Sequence, residues 1–385
     1  MLVLTDFKSV APTFESSQDA ILQWLANAYL AAREKRFGVS AQGSHARERI
    51  EKLLQRYGCA SPKIKKRGHE LADFHHTRWD EMEVYRLTEN PHGVALGHRM
   101  RLFEKAALRG LRALYESPNH RAPDELVHVT CTGYASPSPA QLFVESRGWG
   151  KSTPLTPVYH SGCYAAIPAV RLAFASGLAR KAGGAVNVCI DIAHTELCTL
   201  HLDPLAQEPD QLVVHTLFGD GFIRYSLRPR EPKMPGLRVL ALAEEIVPNT
   251  PHEMQWLLEP YAFRMALSRK VPDLLAAVAQ PFLDKLVQKA GLLPGALNGA
   301  PFALHPGGPR ILEVLEDALR LRPEQLVHAR EVLANHGNMS SATLPTIWKA
   351  ILEDPAIRPG TRIPSLAFGP GLTIAGALLE KVGGA

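Results

Sequence analysis

VYHSGCYAA, residues 158–166, runs from a β-type stretch through Gly162 into Cys163 and an alanine-rich helical segment. A strand–turn–helix elbow of this kind presents a side chain at the end of a sheet. The unpaired N–H groups and the dipole at a helix N-terminus stabilise a thiolate and lower the pKa of a thiol. Cys163 is therefore a candidate nucleophile. On this local pattern alone, a buried inert cysteine remains the alternative, because that is the commonest state of the residue.

Strands and helices alternate on both sides of this elbow. The predicted strands are at residues 126–132, 154–160, 185–192 and 222–227. Helical stretches lie between them, and the alternation repeats over residues 238–353 before a final strand pair around Gly369-Pro370-Gly371. Residues 1–120 have mainly helical periodicity, and apolar residues at three- to four-residue spacing predict a helix over Gln18–Phe37. The pattern predicts a layered α/β protein with two halves of similar organisation.

The composition of the 385 residues excludes several classes of protein. Hydrophobic residues make up 46% and charged residues 21%, which rules out disorder, collagen and coiled coil. The sequence has no apolar run of transmembrane length and no secretory leader pattern at its start. A net charge of +5, without aromatic residues among the basic ones of KIKKR (63–67), argues against a nucleic-acid partner. Five cysteines without CxxC spacing favour a reducing cytoplasm.

A histidine and an asparagine occupy turns further along the chain. A predicted strand ends at His305, and the Pro306-Gly307-Gly308-Pro309 turn fixes the backbone so that the imidazole can point over the sheet end. Asn338 follows Gly337 at the start of a predicted helix, where its amide could donate to a developing oxyanion. The alternatives are a surface or core position for His305 and a helix N-cap for Asn338.

A thiol, an imidazole and an amide are together sufficient for acyl transfer and decarboxylative condensation. Cys163 would take the acyl group. His305 and Asn338 would hold the thioester carbonyl of the extender while it loses CO2 and becomes an enolate. This chemistry needs no metal and no organic cofactor. His194-Thr195-Glu196 resembles part of a zinc-deaminase motif, but the P-C-x-x-C that the motif requires is missing, so no metal site is predicted.

Five stretches, in order, resemble the chalcone synthase family of type III polyketide synthases, which belong to the thiolase-fold condensing enzymes. They are GCYAA (162–166), LFGDG (217–221), HPGGPRIL (305–312), REVLANHGNMSSAT (330–343) and AFGPGLTI (367–374). The resemblance covers residues 125–385, and the stretch Met254-Gln255-Trp256 is more similar to bacterial than to plant members.

The resemblance implies an α/β, thiolase-like fold with two duplicated αβαβα halves in a five-layer arrangement. Residues 1–230 would form the half that carries the nucleophilic cysteine, and residues 231–385 the half that carries the histidine and asparagine. It also implies a homodimer, and a catalytic triad of Cys163, His305 and Asn338.

The resemblance further suggests which residues bind substrate. Phe218 matches a phenylalanine at the junction of the acyl cavity and the pantetheine tunnel, and Met265 replaces a second one. Trp256 stands near a position that is glycine in the plant enzymes, and Glu196 stands near a cavity threonine. The complete predicted substrate-binding set is Phe218, Met265, Trp256, Glu196, Gly307, Arg310 and Gly371.

Basic residues are candidates for the phosphates of the donor. Lys52, Arg56 and Lys63 lie near family positions that bind coenzyme A phosphates, although a solvated surface is the favoured interpretation of these three. Arg310 follows the His305 turn at the expected tunnel mouth, where it could pair with a phosphopantetheine phosphate on coenzyme A or on a carrier protein.

The predicted function is a cytoplasmic condensing enzyme. It would load an acyl group on Cys163 and extend it with a malonyl thioester to a β-ketoacyl product, which can cyclise to a pyrone or a phenolic ring. A carrier-protein-dependent ketosynthase that joins preformed chains is one alternative, and a non-catalytic partner of an active synthase is another. A thioesterase is disfavoured because the triad does not supply an activated water.

Overall fold

The computed structural model describes residues 1–38, 44–117, 120–231, 233–293 and 295–383. In this part of the chain the strands are β1 (Leu2–Val10), β2 (Phe14–Ser17), β3 (Lys66–His69), β4 (Glu125–Thr130), β5 (Leu155–Tyr159), β6 (Ile190–Leu197), β7 (Asp220–Pro229), β8 (Gly236–Ile246), β9 (Met254–Leu258), β10 (Phe263–Leu267), β11 (Ala303–Leu304), β12 (Arg362–Gly369) and β13 (Thr373–Val382). The helices are α1 (Gln18–Phe37), α2 (Ser44–Tyr57), α3 (Leu96–Leu114), α4 (Pro139–Ser146), α5 (Ala166–Ala182), α6 (Pro209–Leu217), α7 (Val271–Lys289), α8 (Pro309–Ala318), α9 (Val327–His336) and α10 (Thr343–Glu353).

Nine of these strands form one mixed sheet in the order β5-β4-β6-β7-β1-β8-β13-β12-β11. On one side of the centre, β1 pairs antiparallel with β7, β7 antiparallel with β6, and β6 parallel with β4. On the other side, the same order of pairing recurs: β8 pairs antiparallel with β13, β13 antiparallel with β12, and β12 parallel with β11. The repetition supports a duplicated architecture, for which we propose the boundary at residues 230 and 231.

Helices cover the sheet in layers. Helix α5 packs on β4, β6 and β7 and also reaches β13, while α10 contacts β11 and β7, so both lie between the two halves. Helix α3 packs on the outer face of β1, β6 and β7, and α7 packs on β8 and β13. Strands β4 and β6 are buried at every position, as expected for strands that are covered on both faces. This is the layered α/β fold that the sequence predicts.

A small hairpin outside the main sheet completes the surroundings of the elbow. Strands β9 and β10 pair antiparallel and place Trp256 opposite Met265. The hairpin is tied to the turn between β12 and β13, because the N–H of Gly371 donates to the carbonyl of Met254 at 3.0 Å. The hairpin and the turn between β12 and β13 are distant in sequence, and this hydrogen bond holds them together.

The structure differs from the sequence expectations at several elements. Residues 1–120 contain the helices α1, α2 and α3, as expected, but they also contain β1, which the sequence did not predict and which lies at the centre of the large sheet between β7 and β8. Strand β6 begins at Ile190 rather than at residue 185. The helix expected next to Asn338 begins as a short 3₁₀ turn at Ser340 and continues as α10 from Thr343. Within the described ranges, no helix is both long and apolar enough to cross a lipid bilayer.

Candidate active site

The elbow that carries Cys163 has a left-handed backbone at two positions. His160 has φ of 59° and Gly162 has φ of 84°, and Cys163 follows in the turn that precedes α5. A Cβ at Gly162 would lie 2.3 Å from Cδ of Pro370, in the turn between β12 and β13. Only glycine combines this φ with so close an approach of a neighbouring turn. The elbow and the Gly369-Pro370-Gly371 turn, two of the five matching stretches, therefore interlock.

The thiol of Cys131 fixes the elbow from the other side. The N–H of Gly162 donates to Sγ of Cys131 at 3.0 Å, and the Cys131 thiol donates to the carbonyl of Gly162 at 3.1 Å. Both hydrogen bonds are buried. They hold the peptide that immediately precedes Cys163.

Asn338 is held by backbone pairing with the LFGDG stretch. Its N–H donates to the carbonyl of Leu217 at 3.0 Å, and its carbonyl accepts from the N–H of Gly219 at 3.0 Å. Oδ1 of its side chain accepts from the N–H of Ser340 at 2.8 Å. Because the amide oxygen is used in this way, the amide N–H groups remain available as donors, and the Asn338 side chain acts to lower the pKa of the Cys163 thiol.

His305 directly follows β11, and its backbone is fixed while its ring is free. Its N–H donates to the carbonyl of Leu366 at 2.8 Å, and its carbonyl accepts from the N–H of Gly307 at 3.0 Å. The residue is 1% exposed, and neither ring nitrogen has a hydrogen-bond partner among the described residues. Buried polar side-chain groups are ordinarily hydrogen-bonded. The imidazole is therefore available to a bound molecule.

Cys163, His305 and Asn338 all line one cavity of about 760 Å³, which we call the outer chamber. Four residues of the predicted substrate-binding set line it as well, namely Phe218, Met265, Gly307 and Arg310. Elements from both halves of the chain contribute to its wall. The structure thus brings together three residue types that are far apart in sequence.

A much smaller cavity, the inner chamber, lies on the other side of Cys163. Its volume is about 30 Å³, enough for one or two water molecules. Phe218 and Met265 line both chambers together with Cys163, so they stand at the junction. Trp256 belongs to the wall of the inner chamber, as does His201.

Trp256 is held in place by several contacts. Its indole N–H donates to the carbonyl of Cys131 at 2.7 Å, and its own carbonyl accepts from Nε2 of His160 at 2.9 Å. Its ring stands edge-on to His201 and Phe263, at centroid distances of 5.7 and 5.8 Å. His201 and Phe263 are themselves stacked at 4.3 Å. Two of the rings in the wall of the inner chamber, those of Trp256 and His201, are therefore fixed by hydrogen bonds.

The hydrogen bonds of His201 determine its tautomer. The N–H of Phe263 donates to Nδ1 at 3.0 Å, so Nε2 carries the hydrogen and donates to the carbonyl of Thr132 at 2.7 Å. Burial lowers the pKa of His201 to about 3, which keeps the ring neutral. His201 thus connects the loop after β4 with the β9–β10 hairpin.

Two predicted substrate-binding residues lie behind the chamber walls. Glu196 is fully buried on β6, where its carboxylate accepts from the N–H of Cys131 at 3.0 Å and from the hydroxyl of Thr132 at 2.9 Å. Gly371, with φ of 85°, holds the hairpin through Met254. Both residues support wall residues of the chambers, and neither is part of the described lining.

Burial dominates the protonation state of the candidate triad. It raises the pKa of the Cys163 thiol to about 12, and the charge of Glu196 acts in the same direction. This is opposite to the direction expected from a helix N-terminus, because α5 begins only at Ala166 and the thiol is desolvated. Burial lowers the pKa of His305 to about 3. Thiol and imidazole are therefore both neutral at pH 7 in the unliganded site.

Charged side chains surround the mouth of the outer chamber. Lys63, Arg269 and Arg310 line it together with Asp210 and Glu313. Glu313 bonds Lys63 through one carboxylate oxygen and lies 3.6 Å from Arg310 through the other.

The other two basic residues considered from the sequence are occupied elsewhere. Lys52 pairs with Glu48 on its own helix at 2.6 Å, and the guanidinium of Arg56 lies over the ring of Tyr57 at 5.2 Å. Neither is among the residues that line the mouth. The structure thus agrees with a solvated surface for both, but places Lys63 at the site.

Sequence reasoning missed several residues of the site. Cys131 and Thr132 follow β4 and line the inner chamber with Ser340, whose hydroxyl oxygen is 3.9 Å from Sγ of Cys163. The run Thr130-Cys131-Thr132-Gly133 after a buried strand was a signal for this role. Arg67 was missed as well. Its guanidinium is buried and donates to the carbonyls of His215 and Phe218, which fixes the LFGDG stretch behind Asn338.

The described residues contain no group of three or more His, Cys, Asp or Glu side chains placed to hold a metal ion. The five cysteines, all of them described, are free thiols. His194, the first residue of the zinc-like sequence, is hydrogen-bonded to Ser341 and Tyr225.

Sequence comparison relates the chain to synthases of polyketides. Residues 238–383 match the family model for the C-terminal domain of chalcone and stilbene synthases. A type III polyketide synthase C of Arabidopsis thaliana is 29% identical over 263 residues, which are 67% of each chain. A 1,3,6,8-tetrahydroxynaphthalene synthase of Streptomyces coelicolor is 27% identical over 250 residues, 65% of this chain and 64% of that one. A probable polyketide synthase 1 of Dictyostelium discoideum is 29% identical over 262 residues, which are only 8% of its length.

Comparison with solved structures covers nearly the whole chain. The Streptomyces coelicolor tetrahydroxynaphthalene synthase has a TM-score of 0.79 at 21% identity, and the match spans 100% of both chains. A polyketide synthase of the brown alga Ectocarpus siliculosus has a TM-score of 0.82 at 20% identity, with 99% and 98% of the chains covered. At these identities the likeness shows a shared fold.

Proposed function

Because this chain is a homologue of the type III polyketide synthases with a chalcone and stilbene synthase C-terminal domain, we propose that it is a polyketide-forming condensing enzyme. It transfers an acyl group from a thioester to Cys163 and extends it by decarboxylative condensation with a malonyl thioester. The observation that carries this proposal is the position of Cys163, His305 and Asn338 on one cavity, with an imidazole whose ring nitrogens have no hydrogen-bond partner in the described part of the chain.

In the loading step, the sulfur of Cys163 attacks the thioester carbonyl of the donor. Both residues are neutral before substrate binds, so the thiol loses its proton only as the new carbon–sulfur bond forms: His305 accepts the proton in that step and then delivers it to the leaving thiolate. The new carbon–sulfur bond replaces the old one. The donor leaves as a free thiol, and the acyl group stays on Cys163.

In the condensation step, the carbonyl oxygen of the malonyl thioester lies between the N–H groups of His305 and Asn338. The electrons of the broken carbon–carbon bond form the enolate as CO2 leaves, and the two donors stabilise the charge on its oxygen. The enolate carbon attacks the acyl carbonyl on Cys163, the carbon–sulfur bond breaks, and the released thiolate takes up a proton from water. The product is a β-ketoacyl thioester.

The two chambers have different roles in this proposal. The outer chamber, about 760 Å³ in volume, receives the pantetheine arm, with Gly307 in its wall and Arg310 at its mouth. Phe218 and Met265 separate it from the inner chamber, which Trp256 limits. Glu196 and Gly371 fix the walls. A chain extended more than once can cyclise to a pyrone or a phenolic ring.

Further parts of the proposal concern assembly and location. The donor is a coenzyme A thioester, and no metal or organic cofactor takes part, because the thiol, imidazole and amide supply every group that the two steps need. We propose a homodimer of two-half subunits, divided at residues 230 and 231, that works in the cytoplasm, where its free cysteines stay reduced. We also propose that the enzyme is more similar to the bacterial than to the plant members of the family, because of the stretch Met254-Gln255-Trp256.

Intact-protein mass spectrometry tests this function. The protein is mixed with acyl-coenzyme A thioesters of increasing chain length and, separately, with acyl-carrier proteins. We expect the mass of one acyl group on the wild type and none on Cys163→Ala. Cys189→Ala is the matched control, because Cys189 is a half-buried thiol bonded to Arg228 away from both chambers.

Each other outcome of this experiment contradicts a defined part of the proposal. Loading from carrier proteins alone would replace the coenzyme A donor by a docked ketosynthase reaction. An adduct that persists in Cys163→Ala would exclude this nucleophile. The absence of any adduct would favour a non-catalytic partner of an active synthase.

A further inference from the structure

The mouth of the outer chamber contains a carboxylate where a phosphate-bearing donor must enter. Glu313 lies in the second turn of α8, eight residues after His305, and lines the cavity. One of its oxygens bonds Nζ of Lys63, a residue 250 positions away in sequence, and the other lies 3.6 Å from Nη1 of Arg310. Among the described residues that line the cavity, three are cationic, namely Lys63, Arg269 and Arg310, and Glu313 pairs with two of them.

The remaining cation, Arg269, does not make the mouth strongly positive. It lines the same cavity as Asp210, which adds a second carboxylate to the lining. The mouth is thus close to neutral. A coenzyme A thioester carries about four negative charges on its 3′-phosphate and diphosphate, whereas pantetheine carries none.

The ion pairs of Glu313 are exposed enough to open. The side chains of Lys63, Glu313 and Arg310 are 54%, 41% and 68% exposed. Exposed pairs of this kind contribute little to stability and are screened by salt. Lys63 and Arg310 lower the pKa of Glu313, so its carboxylate is ionised at neutral pH.

We propose that Glu313 is a specificity-determining residue that competes with the phosphates of the donor for Lys63 and Arg310. It weakens binding in proportion to the phosphate charge that the donor brings to the mouth, and so it disfavours coenzyme A relative to donors with fewer phosphates. This inference rests on the proposed function only in assigning the outer chamber to a pantetheine thioester.

The proposal is tested by equilibrium binding, which does not depend on catalysis. Dissociation constants of coenzyme A, 3′-dephospho-coenzyme A and pantetheine are measured by calorimetry at low salt for the wild type and for Glu313→Gln. We expect the variant to bind coenzyme A about two- to fivefold more tightly, as for the loss of one exposed competing charge. The gain should be smaller for 3′-dephospho-coenzyme A and absent for pantetheine.

A control variant on the same helix distinguishes an effect of the charge at the mouth from an effect of the net charge of the protein. Glu316 lies three residues further along α8 and pairs with Arg330 at 2.5 Å, outside the cavity lining. Glu316→Gln changes the net charge by the same amount and should leave all three dissociation constants as in the wild type. Raising the salt concentration to about 0.5 M should reduce the difference between Glu313→Gln and the wild type.

Three results would overturn the proposal. One is an unchanged affinity of Glu313→Gln for coenzyme A, and another is an equal gain for pantetheine. The third is the absence of coenzyme A binding to both proteins, because no donor would then compete at the mouth. Failure of the proposed function is recognised separately, by the absence of an acyl adduct on Cys163.

Discussion

The two chambers that meet at Cys163 differ in size and in the way their walls are held. The outer chamber, about 760 Å³, ends in a mouth of exposed ion pairs that can open. The wall of the inner chamber, about 30 Å³, includes the rings of Trp256 and His201, which hydrogen bonds hold in place. An adaptable entrance suits the delivery of different thioesters, whereas a pocket with fixed walls suits selection among the acyl groups that stay on Cys163.

The largest expected effect concerns the amide that faces the outer chamber. Asn338→Ala should lower the rate of malonyl-coenzyme A decarboxylation by about 10²- to 10³-fold, because one donor to the enolate oxygen is lost. The release of CO2 or thiol measures this rate. Asn335→Ala on the neighbouring helix is the control, since its exposed side chain only donates to a backbone carbonyl of α9. A loss of less than tenfold would remove Asn338 from the oxyanion site.

The pH dependence of thiol alkylation tests the burial that both chambers impose on Cys163. Its pKa, raised to about 12, lies above the ordinary value, so the reactive thiolate is scarce at pH 7 and increases with pH. We expect the rate of iodoacetamide modification to rise about tenfold per pH unit between pH 7 and 10. The Cys189→Ala background excludes the half-buried thiol. A plateau that begins below pH 8 would contradict this result and indicate a thiolate–imidazolium pair.

A smaller effect is expected when the inner chamber is enlarged. Trp256→Ala removes the ring that limits it and should shift the products towards chains with at least one more malonyl-derived unit, by a few-fold in their ratio. Trp256→Phe is the matched variant, since it keeps a ring but loses the hydrogen bond to Cys131. Product masses after chromatography measure the ratio. Identical product lengths in the wild type and Trp256→Ala would mean that the inner chamber does not limit extension.

The sequence was most informative where glycine and proline define turns. Three such turns predicted the candidates Cys163, His305 and Asn338. The structure places all three side chains on the wall of the outer chamber. Helices with clear periodicity were also predicted well, and α1 has the predicted bounds Gln18–Phe37. These features are local, so single-sequence patterns contain them.

Features that depend on distant contacts could not be predicted in this way. The inner wall is formed by a hairpin that no local pattern indicated, and Glu196 lies behind the wall because β6 is buried on both faces. The pKa of Cys163 is raised because segments far apart in sequence bury the thiol. This burial outweighs the lowering of the pKa that the sequence predicts for a helix N-terminus. In each case the tertiary environment decides the outcome.

The central position of β1 affects how the chain can fold during its synthesis. Residues Leu2–Val10 are made long before their partners in the sheet, which are Asp220–Pro229 and Gly236–Ile246. At about 5–20 residues per second, the ribosome needs roughly 10 to 50 s to reach those partners. Throughout that interval an apolar strand with both edges unpaired is exposed to other nascent chains. Translation speed between residues 10 and 246 should therefore influence how much of the protein is recovered in soluble form.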